Sequence, residues 1–148
     1  LLISFSDIIF DKSILEKLIK SKHSFTIAVQ KNWKKKYRNR YDHPVSQADK
    51  VFVKNNSIFK IGKNLSEKKT NGEFLGIFKI SKYFCKIFIH EYELLQKRRK
   101  TNKFQIHNFF QHLINKNINI KPTYVVGKYM EIDTYNDFKI AKKIFNEK

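Results

Sequence analysis

The sequence has 148 residues, of which 41% are hydrophobic, and its 31 Lys and Arg against 13 Asp and Glu give a formal net charge of +18 at pH 7. A folded chain of this length buries roughly 70% of the surface that its unfolded form exposes, so the composition excludes intrinsic disorder and favours one domain over residues 1–148. The single cysteine, Cys85, excludes an internal disulfide, and no apolar run reaches the ~20 residues that cross a bilayer, so we expect a cytoplasmic protein with no membrane segment.

The start of the chain predicts a strand, a helix and a second strand. The apolar segment 1–5 predicts a buried strand that leads to Asp7. Segment 25–29 is rich in residues that favour strands. Segment 11–20 between them predicts an amphipathic helix, whose apolar face consists of Ile14, Leu15, Leu18 and Ile19. This order is typical of a βαβ unit with parallel strands.

The middle of the chain predicts a hairpin and a long apolar strand. After an irregular, basic stretch at 31–47, two short apolar segments flank Asn55-Asn56, which predicts a β-hairpin with a tight turn. Segment 73–80 then predicts a buried strand in which Gly76 permits close approach of another backbone.

The last part of the chain predicts helices and short strands. Apolar side chains share one face of a first helix (Phe84, Ile87, Phe88, Leu94, Leu95) and of a second (Ile106, Phe109, Phe110, Leu113). Segments 124–126 and 129–132 predict short strands. A final helix opens at Thr134, with Asp137 at the capping-box spacing, and is expected to bury Phe138, Ala141, Ile144 and Phe145. Together the elements predict an α/β fold, a mostly parallel sheet with an inserted hairpin.

The positive charge leaves two classes of anionic partner open. The cationic residues are spread along the chain, with local runs at 33–38 and 97–100. A nucleic-acid-binding protein concentrates charge on one face or carries a recognisable module, and neither is visible here. We therefore favour a small anionic substrate and consider nucleic acid an unlikely partner, with a basic nucleic-acid-binding module as the alternative.

Two aspartates are candidate metal ligands. Asp7 and Asp133 each follow a predicted strand and precede a helix, where open α/β sheets bind their ligands. Carboxylates at this edge can hold Mg²⁺ against phosphate oxygens. The alternative for each is a role in the turn into the helix, which is stronger for Asp133 because Thr134 and Asp137 already predict a cap.

Other catalytic classes find no support. His107 and His112 are five residues apart and diverge on a helix, so they predict no zinc site. Cys85 has apolar neighbours and is interpreted as an inert core thiol. The serines lack a nucleophile elbow, and no phosphate-binding glycine motif occurs.

The chain resembles nucleotidyltransferases related to sugar-phosphate, phosphocholine and phosphonate (2-aminoethylphosphonate) cytidylyltransferases. The matches occur in the same order nearly end to end. Residues 3–10 resemble the segment "SYSDIVFE", and residues 29–51 resemble "VDxxW…YxxR…HPxSEAExV". Three shorter matches follow at 61–63, 72–76 and 131–137, to "IGK", "GEFIG" and "EIDTxED".

The resemblance implies a Rossmann-like, three-layer fold and a reaction. A phosphate or phosphonate oxygen of the acceptor attacks the α-phosphorus of a nucleoside triphosphate, with CTP favoured, and pyrophosphate leaves. It also implies that Asp7 and Asp133 bind Mg²⁺ and act in catalysis. Glu73 and Arg40 are implied near the second substrate, and Trp33 either forms a wall for a cationic head group or simply packs at the sheet edge.

Three departures from the family pattern qualify these expectations. Gln30 and Gln47 stand where the family has acidic residues, which affects recognition of a cationic substrate more than the chemistry. From Leu1 onwards the sequence contains no Gly-rich loop of the kind that cradles a triphosphate. We therefore expect these residues to form the C-terminal portion of a nucleotidyltransferase domain, which alone binds nucleotide poorly. A fusion to a further catalytic domain upstream is also compatible with the resemblance. A degenerate, non-catalytic copy of the enzyme is the further alternative.

Overall fold

The computed structural model describes residues 1–99 and 105–146, so the predicted basic run at 97–100 lies partly outside the described residues. The strands are β1 (Leu2–Ser4), β2 (Ile8–Phe10), β3 (Phe25–Gln30), β4 (Lys50–Lys54), β5 (Ser57–Gly62), β6 (Gly72–Ile80), β7 (Lys121–Tyr124) and β8 (Tyr129–Glu131). The α-helices are α1 (Lys12–Lys20), α2 (Lys82–Arg99), α3 (Ile106–Asn115) and α4 (Tyr135–Asn146), and short 3₁₀ helices cover Trp33–Tyr37 and Val45–Gln47.

Strand β6 is the centre of the main sheet, whose order is β5-β4-β6-β3-β7. Strand β3 lies antiparallel along one edge of β6, while β4 and β1 share the other edge, both antiparallel to it. Strands β3 and β7 are parallel neighbours. The α/β class is therefore confirmed, but the sheet described here is mixed. Strands β1 and β3 run in the same direction, as predicted for a βαβ unit, yet β6 lies between them because its long apolar sequence is buried most completely at the centre.

The predicted hairpin is confirmed. Strands β4 and β5 pair antiparallel up to Lys54 and Ser57, and the two residues between them have positive φ angles, 51° at Asn55 and 55° at Asn56. Asparagine tolerates this left-handed conformation better than other residues with a side chain, which is why it suits a two-residue hairpin turn.

Side chains of β6 alternate between two apolar layers. Phe74 and Phe78 belong to a cluster that contains the inner faces of α2 and α3, whereas Leu75 and Ile77 belong to a second cluster. That second cluster contains Ile14 and Leu18 of α1, and Tyr129 of β8. Because successive strand residues point to opposite faces, the two clusters lie on opposite sides of the sheet. The expected three-layer arrangement is thus present.

Helix α4 begins with the predicted capping box but buries a different face. The hydroxyl of Thr134 accepts a hydrogen bond from the Asp137 amide, and Oδ2 of Asp137 accepts one from the Thr134 amide, both at 3.1 Å. Asp137 and Ala141 are the fully buried positions of this helix, while Phe138, predicted to be buried, is 50% exposed. The prediction was wrong because a buried ion pair of Asp137, described below, occupies the inward face. Ile19 of α1, predicted on the apolar face, is likewise exposed.

Within residues 1–99 and 105–146, no helix combines the length and the apolar character needed to cross a membrane.

Candidate metal and substrate site

A two-stranded ribbon brings the beginning and the end of the chain together. Strands β2 and β8 pair antiparallel, with Ile8 opposite Glu131. The ribbon extends by one more hydrogen bond, from the amide of Ile132 to the carbonyl oxygen of Asp7 at 2.8 Å. Asp7 therefore lies directly beside the segment that carries Asp133.

Asp7, Glu131 and Asp133 form an acidic cluster in which one carboxylate oxygen from each lies within 4.8 Å of the others. Asp7 and Asp133 are open to solvent, whereas Glu131 is half-buried. Burial, followed by the negative charge of Asp133, raises the pKa of Glu131 to about 7. The structure thus brings the two predicted aspartates together and adds Glu131, which the sequence offered only as part of a motif.

The donor set of the acidic cluster fits Mg²⁺. Three carboxylates converge, and hard oxygen ligands of this kind are what Mg²⁺ prefers. Burial, and after it the negative charge of Asp133, raises the pKa of Glu131, and a divalent cation would favour the charged form of this carboxylate.

Arg40 supports the acidic cluster from inside the protein. Its side chain is fully buried; Nε donates to Oδ1 of Asp137 at 2.7 Å, and Nη2 donates to the carbonyl oxygen of Glu131 at 2.9 Å. The other oxygen of Asp137 accepts hydrogen bonds from the amides of Asp133 and Thr134. Burial alone would raise the pKa of Asp137, but its hydrogen bond and ion pair with Arg40 outweigh that and lower it. Nε and Nη2 of Arg40 are thus occupied, while Nη1 has no hydrogen-bond partner among the described residues, and the role of Arg40 near the second substrate stays a prediction.

His43 lies between the Arg40–Asp137 ion pair and the acidic cluster. Its side chain is buried, and Nδ1 lies 2.6 Å from Oδ2 of Asp133. Nε2 is 3.8 Å from Oε2 of Glu131 and has no hydrogen-bond partner among the described residues. Burial, together with the charge of Arg40, lowers the pKa of His43. The sequence analysis missed His43 because it looked for histidines paired at short spacing, although the match to "HPxSEAExV" includes this residue.

A cavity of about 190 Å³ opens beside the acidic cluster and shares Glu131 with it. The polar residues that line it include Gln47, Asp49, Lys63, Glu73, His107 and Glu131. The Lys63 ammonium donates to Oε1 of Gln47 at 3.3 Å, and Nδ1 of His107 lies 2.7 Å from Oδ1 of Asp49. The cavity therefore presents both signs of charge to a small molecule.

Glu73 lines this cavity, and Lys36 and Tyr37 bind its carboxylate. Its carboxylate accepts a hydrogen bond from the Tyr37 hydroxyl and pairs with the Lys36 ammonium, which also lies over the Tyr129 ring. Burial raises the pKa of Glu73 and lowers that of Lys36, although each opposes the shift of the other. Glu73 and Glu131 line the same cavity, and the role of Glu73 near the second substrate stays a prediction.

Trp33 and Gln30 belong neither to the acidic cluster nor to the lining of the cavity. Trp33 is 2% exposed and packs edge-on against Tyr37, which favours the packing interpretation over a wall for a head group. The Gln30 amide donates to the carbonyl oxygen of Gly127. Of the two substituted acidic positions, Gln47 alone borders the cavity.

Comparison with known proteins gives the fold a context. No family model matches the chain. Over 146 residues it is 29% identical to the "CTP:phosphoglutamine cytidylyltransferase" of Campylobacter jejuni subsp. jejuni serotype O:2, which covers 95% of this chain and 58% of that protein. The inositol-1-phosphate CTP transferase from T. maritima superposes with a TM-score of 0.69 at 22% identity, over 99% of this chain and 56% of that one.

A second solved structure, the UTP-bound UGPase from Acinetobacter baumannii, gives a TM-score of 0.68 at 12% identity, over 97% of this chain and 50% of the other. The chain thus spans between 50% and 58% of the length of these three proteins. Its fold is that of nucleotidyltransferases, and the resemblance stated from the sequence is confirmed.

Proposed function

We propose that this chain forms part of an enzyme that transfers a nucleotidyl group, in the first place cytidylyl, from a nucleoside triphosphate to a small phosphorylated or phosphonate acceptor. The observation that carries the proposal is the convergence of Asp7, Glu131 and Asp133 beside a cavity of small-molecule size. Support also comes from the similarity to a protein described as a CTP:phosphoglutamine cytidylyltransferase.

In the proposed reaction an acceptor oxygen forms a bond to the α-phosphorus while the bond from that phosphorus to the bridging oxygen breaks, and pyrophosphate leaves. Such chemistry depends on positioning and charge neutralisation rather than on a protein nucleophile. Asp7, Asp133 and Glu131 would hold Mg²⁺. When bound, the ion neutralises phosphate charge and orients the reacting groups.

The cavity supplies the proposed acceptor site. Lys63 offers an ammonium to a phosphate or phosphonate oxygen, since its partner, Gln47, is neutral. Glu73 is held in place by Lys36 and Tyr37 and presents a fixed polar wall on the same side. Acceptor and acidic cluster would then meet at Glu131, the residue that both share.

The test is pyrophosphate release by the protein encoded in the complete reading frame that contains these residues. With CTP, release is expected only when Mg²⁺ and an acceptor such as phosphoglutamine or phosphocholine are both present. Asp7→Asn is expected to lower the rate by about 100-fold or more, because it removes charge at the metal site. The control Glu93→Gln removes an exposed carboxylate from α2 and is expected to keep the wild-type rate. Normal turnover by the folded Asp7→Asn protein would refute the proposed function.

A further inference from the structure

We propose that His43 is a positioning residue of the acidic cluster: its Nδ1–H holds the Asp133 carboxylate so that one oxygen remains directed towards Asp7 and Glu131. This inference rests on the proposed function, because it assigns His43 a role in binding the divalent cation without making it a ligand.

The imidazole of His43 has little freedom to move. The residue is 7% exposed, and its ring lies 5.9 Å from that of Tyr37, tilted by 44°. The amide of His43 donates to the carbonyl oxygen of Arg40, whose own side chain is fixed by Asp137. A packed ring on a tethered turn presents Nδ1 at a defined place, as a residue that orients a metal ligand must do.

The distance to Asp133 favours one tautomer of His43. An unprotonated Nδ1 at 2.6 Å from a carboxylate oxygen would oppose one lone pair to another, so we assign the proton to Nδ1. Asp133 is otherwise an exposed side chain, with 40% of its surface open to solvent, and would sample several rotamers. Contact with Nδ1 engages one of its oxygens and leaves the other available.

His43 is a poor metal ligand at this place. His43, Asp133 and Asp137 each offer an atom within 4.8 Å of the others, which is compatible with a second cation. Oδ1 of Asp137, however, already binds the buried Arg40 guanidinium at 2.7 Å, and that positive charge repels a cation in the same space. The geometry therefore favours one cation at the acidic cluster, with His43 behind Asp133.

Three substitutions of His43 separate the positioning role from simple packing. Asparagine places an amide nitrogen where Nδ1 of histidine lies, whereas glutamine places it where Nε2 lies. His43→Asn is therefore expected to preserve the contact with Asp133, and His43→Gln and His43→Leu are expected to lose it. The readout is the dissociation constant of Mn²⁺, measured on the protein encoded in the complete reading frame by the electron paramagnetic resonance signal of the free ion.

We expect His43→Gln and His43→Leu to weaken Mn²⁺ binding by about tenfold or more, the range found for partners that orient metal ligands, and His43→Asn to stay within about threefold of wild type. The matched control is His112→Gln. His112 also lies beside a carboxylate, Glu91 at 3.1 Å, but between α2 and α3. Thermal unfolding of each variant establishes that it is folded.

The outcomes distinguish this inference from the proposed function. If wild type fails to bind Mn²⁺, or Asp133→Asn binds it equally well, the metal site of the proposed function is refuted. If Asp133→Asn loses binding but His43→Gln and His43→Leu retain it, only the positioning role is overturned. A second Mn²⁺ that depends on His43 would also overturn it, in favour of ligation. If His43→Gln or His43→Leu does not fold, His43→Asn still tests the proposal. Tenfold weaker Mn²⁺ binding by folded His43→Asn would be sufficient to reject it.

Discussion

Two arginines of the same basic segment have opposite environments. Arg38 is exposed, whereas Arg40 is 2% exposed and forms an ion pair with Asp137, whose side chain is equally buried. The pair also fixes backbone atoms of Glu131, Asp133 and Thr134 through direct hydrogen bonds. Removing one partner of a buried ion pair is strongly destabilising, because the remaining charge is buried without its partner. This loss can exceed the stability that the intact pair provides over an apolar pair of similar size.

Arg40→Ala is therefore expected to lower the free energy of unfolding by about 3–5 kcal/mol, since it leaves Asp137 buried without its cation. Arg38→Ala, the matched control, is expected to change it by less than about 0.5 kcal/mol. Urea denaturation of the two variants checks both values. Equal, small losses would show that the ion pair does not hold the segment that carries the acidic cluster.

At this scale the sequence identified the residue types better than their partners. Asp7 and Asp133 were recognised as metal candidates because both follow strands, a position readable from local pattern. The family resemblance placed Arg40 near the second substrate, and nothing near it in the sequence reveals its ion-pair partner, which is 97 residues away. His43 was not predicted, because histidines were considered as ligands only where they are paired at short spacing, whereas its carboxylate neighbours lie far along the sequence.

Among the elements, those set by short-range contacts were predicted best. The Asn55-Asn56 turn depends on two backbone conformations, and the Thr134–Asp137 capping box depends on residues three apart. Both were confirmed. Pairing of β1 with β6 was not foreseen, because apolar strands carry no sign of their neighbours and an antiparallel partner satisfies β1 as well as a parallel one.

Helices α2 and α3 are joined by a charged clamp centred on Glu91. Its carboxylate accepts a hydrogen bond from the Lys116 ammonium at 2.8 Å and lies 3.1 Å from Nε2 of His112. The hydrogen bond from Lys116, more than that from His112, lowers the pKa of Glu91 against a weaker opposing effect of burial. A carboxyl group with a lowered pKa stabilises the folded state above its unfolded pKa and loses that contribution as pH falls through the folded value.

Glu91→Gln is expected to cost about 1 kcal/mol at neutral pH, a modest value because the clamp is partly solvated. The difference from wild type should persist down to about pH 5 and shrink as the pH falls further, when Glu91 takes up its proton. Glu93→Gln, on the exposed side of α2, is the control and should track wild type throughout. Denaturation at several pH values gives the comparison; a pH-independent difference would exclude the ionised clamp.

The molecule as a whole places a concentrated negative site on a strongly positive chain. With a formal charge of +18, loss of an isolated carboxylate adds to the overall repulsion. At the acidic cluster the local balance is reversed, because Asp7, Glu131 and Asp133 repel one another. Neutralising one of them in the absence of a divalent cation therefore relieves more repulsion than it adds.

Without divalent cations, Asp7→Asn is expected to match or exceed the melting temperature of wild type, whereas Glu93→Gln, with the same change in net charge, should match it or fall below. At a Mg²⁺ concentration ten times the dissociation constant, wild type should gain about 1.4 kcal/mol, and Asp7→Asn should gain much less. Calorimetry with and without Mg²⁺ tests this. A lower cation-free melting temperature for Asp7→Asn than for Glu93→Gln would argue against repulsion within the cluster.

The β2–β8 ribbon also has a consequence for biosynthesis. It joins Asp7, near the start of the chain, to Glu131 and Asp133 near its end. A chain growing on the ribosome exposes Asp7 before its partners, because Glu131, Asp133 and the Asp137 that fixes their backbone lie far along the sequence from it. Asp7 therefore lacks these partners until residues 131–137 have been synthesised, and the acidic cluster assembles only when the long segment between β2 and β8 has folded and brought the two strands together.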